Sequence, residues 1–306
     1  MTSAVTLPDG AKLAYDVYGT EHAARAKPIV LVGGMGSTRV DWERLSNTLS
    51  KNRPVLVFDH RGMGQSSYST AEKNDDITTE SMARDLVFLI YSLGWKEVAI
   101  CGFSMGGVVT QELILLPYHP YKPTPLPFRV THIFLTGTLA TPLRDKRYGL
   151  PIAGFKRTPG APKLTLEEEM DLSRPLVEAS FDPAWVKEHP ARAEEWVKHM
   201  VVGRPIRTMM KQAITLKNMN FGNLHTKFSP DTPVLIIHGK LDNIVPFYCS
   251  EEIAQLIPHA RFVEVGSQPG QIPDLRFGHH WWEYFDERVW RDVVDVFIGG
   301  STKARL

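Results

Sequence analysis

The stretch ICGFSMGGVV, residues 100–109, carries a serine between glycines at the end of an apolar run. Gly102 and Gly106 stand two residues either side of Ser104, and Gly107 follows. EVAICG before the serine reads as a strand and MGGVVTQELILL after it reads as a helix, so Ser104 falls at the join. That spacing is the G-x-S-x-G of a nucleophile elbow, a strained strand-to-helix turn that exposes one hydroxyl. Small neighbours let strand and helix approach closely. The hydroxyl then lies over a helix N-terminus, where developing negative charge is favoured. A plain tight turn is the alternative, and the rest of the chain has to decide between them.

Outward from this join, short apolar runs recur, each ending in glycine or a polar turn: PIVLVGG (28–34), PVLVFDH (54–60), VTHIFLTG (130–137), PVLIIHG (233–239) and ARFVEVG (260–266). Nearly continuous apolar runs are the mark of strands covered on both faces of a parallel sheet. Helical stretches lie between them. TTESMARDLVFLIYSLG (78–94) opens on a Thr-Thr-Glu cap signal and stops at Gly94. Alternating strand and helix predicts an α/β fold with right-handed crossovers. AVTLPDGAKLAYDVYG at the N-terminus alternates around Pro8-Asp9-Gly10, which predicts an antiparallel hairpin at the sheet edge.

The rhythm breaks twice. PYHPYKPTPLP (117–127) predicts a surface excursion. From about Leu139 to Ser229 no convincing strand appears, and the sequence turns helical, with Pro183 and Pro205 near helix starts. A helical insertion in an α/β sheet fits best as a cap over the carboxyl ends of the strands, where ligands bind. The expected division is a core from 1–138, a helical cap from 139–230, a second core part from 231–300, and a flexible tail from 301–306.

A serine hydroxyl needs a base, and the base an orienting acid. In a strand-turn-helix elbow architecture the chain order is Ser, then Asp or Glu, then His. KLDNIVP places Asp242 just past the VLIIHG strand, and His279-His280 follow the last strand and a long proline-bearing loop. Asp242 is preferred over Asp145, which lies further beyond its own strand. His279, directly after Gly278, is preferred over His280. Two N–H donors must face the tetrahedral intermediate. One is expected from Met105 and the other from the glycine-rich GGMGST after PIVLV, at Met35 or else Gly34.

Other candidates have plainer explanations. Asp59-His60-Arg61-Gly62 reads as a structural turn, with Asp59 and Arg61 bonding the backbone or each other. His238 reads as a satisfied core histidine. No H-E-x-x-H or paired Cys/His spacing exists, so no catalytic metal and no cofactor are expected. Met170, Trp185, Trp196, Met200, Met209 and Met210 at helical spacing either line a pocket or pack the cap core. Trp185, Trp196, Met209 and Trp281 are the pocket candidates.

The 306 residues carry 35 basic and 34 acidic side chains, with 43% hydrophobic and 23% charged residues. A net charge of +1 offers no field for nucleic acid or an anionic membrane. No apolar run approaches the ~20 residues of a membrane helix, and no signal peptide is evident. The two cysteines, Cys101 and Cys249, do not make a disulfide framework. The expectation is an intracellular protein. The final Ala304-Arg305-Leu306 is similar to a peroxisomal address that an import receptor reads.

Taken in order, LVGGMGSTRVDW, FDHRGMGQSS, GFSMGG, HGKLDNIVP and GHHWW resemble the α/β-hydrolase superfamily, in its lidded esterase/lactonase-like form, over most of residues 10 to 298. The resemblance implies an eight-stranded, mostly parallel sheet flanked by helices, a helical cap after strand 6, and hydrolysis through an acyl-serine. Where the family often has His-Gly before the oxyanion loop, this chain has Gly33-Gly34. Relatives that open epoxides or remove halide carry aspartate at the position of Ser104. The leading expectation is a serine hydrolase for a small or medium apolar ester, lactone or thioester, with acyl-CoA or secondary-metabolite esters among the substrates. The alternatives are a C–C bond hydrolase on the same triad and a non-hydrolytic binder.

Overall fold

A computed structural model of the chain describes residues 2–69, 75–151 and 164–300. The C-terminal tripeptide therefore lies outside the described residues, as do residues 152–163 of the expected helical cap.

Eight strands form one sheet among the described residues: β1 (Ser3–Thr6), β2 (Lys12–Tyr18), β3 (Ile29–Val32), β4 (Val55–Phe58), β5 (Glu97–Phe103), β6 (Arg129–Thr136), β7 (Val234–Ile237) and β8 (Arg261–Phe262). Their order is β1-β2-β4-β3-β5-β6-β7-β8. β1 and β2 form the expected antiparallel hairpin, which joins β4 antiparallel. Every other pairing is parallel.

Alternate residues of the central strands β3 to β7 face opposite sides, and both sides are buried. Val30, Val32, Leu56, Ile100 and Ile236 pack on one face with α2 (Thr79–Ser92), α3 (Met105–Leu115) and α8 (Tyr248–Leu256). Ile29, Leu31, Val57, Cys101 and Leu235 pack on the other with α1 (Glu43–Leu49) and α9 (Glu287–Gly299). The continuous apolar runs follow from this two-sided cover.

Helix α2 starts where its sequence says. Thr78 caps the Ser81 amide, and Ser81 returns a bond to the Thr78 amide, so the reciprocal partner is a serine rather than a glutamate. Gly94, past its end, takes φ +70°. The last strand is shorter than its apolar run: only Arg261–Phe262 pair as β8, and Val265 makes a lone bridge to Ile272.

Between β6 and β7 lie α4 (Leu166–Ser180), α5 (Pro183–Glu188), α6 (Pro190–Met200) and α7 (Ile206–Asn218). The run DPAWVKEHPARAEEWVKHMVV (182–202) is broken at His189 into α5 and α6. Pro190 has no N–H to give the preceding turn and opens a new helix instead.

Candidate active site

Ser104 sits between β5 and α3 with φ 52° and ψ −122°, a conformation that a non-glycine residue adopts only under constraint. The constraint is visible. Its amide donates to Thr136 O at 2.9 Å, and its carbonyl accepts from Thr138 Oγ1 at 2.6 Å. A methyl group at Gly106 would collide with the Val32 carbonyl, and one at Gly102 would lie 2.6 Å from Gly106 O. Only glycine lets α3 lie this close to β3 and β5.

Asp242 follows β7, and both its oxygens are used. Oδ1 accepts from the amides of Ile244 and Val245, each at 2.8 Å. Oδ2 accepts from His279 Nδ1 at 2.6 Å. Burial opposes ionisation of this carboxyl, but the charge and hydrogen bond of His279 and the hydrogen bond of His238 outweigh it and hold its pKa below the ordinary carboxylate range. With Nδ1 turned to Asp242, the ring's other nitrogen, Nε2, is left outside that contact. The His279 ring lies 4.6 Å from that of Phe103, the residue before Ser104. No hydrogen bond joins Ser104 to His279 among the described residues; such contacts commonly tighten when substrate binds.

His280 turns away into an aromatic cluster of Phe181, Trp196 and Trp282, with ring centroids 5.2, 4.6 and 5.0 Å distant. Burial there pushes its pKa well below the usual imidazole value. Asp145 forms a 2.6 Å ion pair with Arg147, two residues along the same loop.

Met105, as the first residue of α3, has an amide that its helix cannot use. The amide of Met35 has no hydrogen-bond acceptor among the described residues, while the groups around it are held. Gly34 O accepts from Ser37 N at 3.2 Å, and His60 Nε2 meets Gly33 O at 3.0 Å. Burial lowers the His60 pKa to about 4, so at neutral pH it is an uncharged donor to Gly33. Asp59 and Arg61 do not bond each other. Asp59 pairs with the Arg39 guanidinium and accepts from the Arg39 and Gln65 amides at 2.7 and 2.9 Å. Arg61 binds Asp85 at 2.8 Å and Asp9 at 2.5 Å. His60 and its neighbours thus brace the glycine-rich loop.

Ser104 opens onto a cavity of about 230 Å³ lined by Met35, Leu139, Leu143, Leu150, Leu216 and Ile244, among others. The expected pocket residues are not in its wall. Trp185 stacks on Phe181 at 4.0 Å, and Trp281 packs edge-on against Trp290 at 4.6 Å. Trp196 lies on His280, and Met209 lies against Gly36. The helical spacing of Trp185, Trp196 and Met209 reflects packing of the insertion. His238, read as a satisfied core histidine, is buried with its Nε2 2.8 Å from Val245 O; what that reading did not include is its 3.3 Å approach to Asp242 Oδ2. Its position at the strand end that leads to Asp242 was the available signal.

Among the described residues no helix is long and apolar enough to cross a membrane. They also hold no group of three or more His, Cys, Asp or Glu side chains that could hold a metal ion. Cys101 and Cys249 are both free and buried.

The chain is 27% identical over 251 residues to a protein of Azorhizobium caulinodans named "Putative carbamate hydrolase RutD", covering 82% of this chain and 86% of that one. Its structure is similar to a hydrolase from Pseudomonas aeruginosa, with a TM-score of 0.72, 22% identity, and coverage of 97% and 98%. It is also similar to the enol-lactonase from Burkholderia xenovorans, with a TM-score of 0.66, 22% identity and 98% of both chains covered. Residues 27–269 match the alpha/beta hydrolase fold family, and the chain is a hydrolase that belongs to it.

Proposed function

We propose that this hydrolase cleaves a carboxylic ester, lactone or thioester through an acyl-serine intermediate, with Ser104 as nucleophile, His279 as base and Asp242 as orienting acid. The observation that carries the reading is the 2.6 Å contact of His279 Nδ1 with Asp242 Oδ2, on the strand ends beside the strained Ser104. Ser104 Oγ attacks the carbonyl carbon as its proton passes to His279 Nε2. The oxyanion takes hydrogen bonds from Met105 N–H and Met35 N–H, with Gly34 N–H as the second choice for the latter. The imidazolium, held by Asp242, returns the proton to the leaving group, and water activated by the same base releases the acyl group.

The apolar cavity suits a small or medium acyl chain. The name of the sequence relatives adds carbamates, whose carbonyl is open to the same attack. Cleavage of a C–C bond beside a carbonyl is the second reading; the similarity to a meta-cleavage product hydrolase, at 19% identity, supports the shared fold. A binding-only role on the same scaffold would require a silent Ser104. The helices from α4 to α7 are the proposed cap. An intracellular site is proposed from the free, buried cysteines. Peroxisomal import rests on Ala304-Arg305-Leu306 alone, and the bacterial relatives lend it nothing.

The test is fluorophosphonate labelling with turnover of p-nitrophenyl acetate to octanoate, on wild type and Ser104→Ala. Serine-dependent labelling and turnover support the reading. A folded wild type that neither labels nor turns over ester or carbamate overturns it.

A further inference from the structure

The helical insertion reaches back to the glycine-rich loop and holds the two peptide groups that flank the Gly36 α-carbon. Gly36 N donates to Gln212 Oε1 at 2.9 Å, and Gly36 O accepts from Arg204 Nη1 at 2.8 Å. Gln212 lies on α7, and Arg204 just before it. Both side chains are buried. Arg204 is fixed in turn by Asp41 at 2.6 Å, by Thr38 Oγ1 at 3.2 Å and by the His199 carbonyl at 3.1 Å. Gly36 itself takes φ +73°, beside Met209 of the same helix.

The Gly36 N–H belongs to the peptide that follows Met35. In a trans peptide that N–H and the Met35 carbonyl point in opposite directions, so holding one fixes the other. The rotation of Met35 is then set from its C-terminal side by Gln212 and Arg204. On its N-terminal side His60 and Ser37 hold Gly33 and Gly34. The Met35 amide, between these supports, is left without a partner among the described residues.

We propose that Gln212 and Arg204 are positioning residues for the oxyanion loop, so that the helical insertion shapes the catalytic geometry as well as covering the site. This rests on the reading of Met35 N–H as an oxyanion donor given under Proposed function. Gln212 Oε1 is the acceptor that matters, and its buried Nε2 has no partner among the described residues. A glutamate at this position keeps the acceptor; a leucine removes it at similar volume. An aimed donor acts on the charged transition state rather than on the neutral ground state, so its misalignment lowers kcat and leaves KM nearly unchanged.

The experiment compares wild type, Gln212→Leu, Gln212→Glu and Arg204→Lys on p-nitrophenyl butyrate, together with inhibition by a trifluoromethyl ketone and its non-electrophilic methyl ketone. The expected result for Gln212→Leu is a kcat lower by about 10- to 100-fold, below the ~100- to 1,000-fold of losing a donor outright. KM and methyl-ketone affinity stay within about three-fold, while trifluoromethyl-ketone affinity falls in parallel with kcat. Gln212→Glu recovers most of kcat. Arg204→Lys, which keeps the charge without the fork, shows the same kcat-selective loss even if Gln212→Leu does not fold. Folded variants with wild-type kcat, or a loss confined to KM, overturn the proposal. If the wild type turns over no ester, the hydrolase reading fails by itself. The loop inference is then read by amide exchange of residues 33–37: faster exchange in Gln212→Leu and Arg204→Lys supports it, and unchanged exchange overturns it.

Discussion

His238 Nε2 lies 3.3 Å from the same Asp242 oxygen that accepts the 2.6 Å hydrogen bond from His279. Two imidazoles from different parts of the chain therefore converge on one buried carboxylate. His238 also donates to the Val245 carbonyl at 2.8 Å, and the Val245 amide donates to the other oxygen of Asp242. The turn from Asp242 to Val245 is thus closed from three sides.

His238→Met removes one donor from this turn and lowers folding stability near neutral pH by about 1–2 kcal/mol. The sign with pH follows from Asp242, whose folded-state pKa lies below the ordinary value. Its stabilisation is present above the unfolded pKa of ~3.9 and is lost as pH falls through the folded value. The penalty of His238→Met therefore shrinks as pH drops below about 4. Urea unfolding of both proteins at steps from pH 7 to pH 3 measures this. A penalty independent of pH would mean that His238 acts by packing alone.

In the proposed mechanism Asp242→Asn leaves shape nearly intact but removes the charge that would stabilise the imidazolium, and offers an amide group where Nδ1–H is to be accepted. The expected loss in kcat is of the order of 10⁴. Asp145→Asn breaks only an exposed pair with Arg147 and is expected to leave kcat within about two-fold. Turnover of one short ester by both variants ranks them, and the opposite ranking would reassign the acid.

Ala213 and Leu216, one helical turn apart on α7, both line the cavity at Ser104. Ala213→Phe fills space in a cavity of about 230 Å³. Long acyl chains are expected to suffer first: kcat/KM for p-nitrophenyl octanoate falls at least ten-fold more than for acetate. An equal loss on both esters would place the acyl chain elsewhere.

How much of this was legible in the sequence depends on how local each signal was. Ser104 was, because an elbow needs glycine at fixed offsets and the flanking runs declare strand and helix. Asp242 and His279 were, because parallel strands deliver their following loops to one edge. The Asp145 alternative looked acceptable only because a sequence does not show which carboxylate already has an arginine beside it. The cavity wall was not legible. Trp185, Trp196 and Trp281 have the size of pocket residues, yet large aromatic side chains also serve to pack one element on another, and here they do. Gln212 and Arg204 carried no signal, since the backbone groups they hold lie in a loop 176 and 168 residues earlier in the chain.

Glu283, four residues past His279, is buried and receives a two-pronged contact from Arg192 of α6, at 2.8 and 3.0 Å. Arg44 approaches the same carboxylate at 3.7 Å and donates to the Glu283 carbonyl at 2.5 Å. The pair ties the helical insertion to the segment that carries His279. Arg192→Met leaves a buried carboxylate with only its longer contact, and removing one partner of a buried pair costs about 3–5 kcal/mol. With Arg44 in reserve, a loss near the lower end, about 3 kcal/mol, is expected in urea unfolding. Glu283→Gln in the Arg192→Met background removes the stranded charge and is expected to recover part of that stability. If the double variant is no more stable than Arg192→Met, the cost lies in lost packing on Trp196, over which Arg192 sits at 5.8 Å, rather than in the unpaired charge.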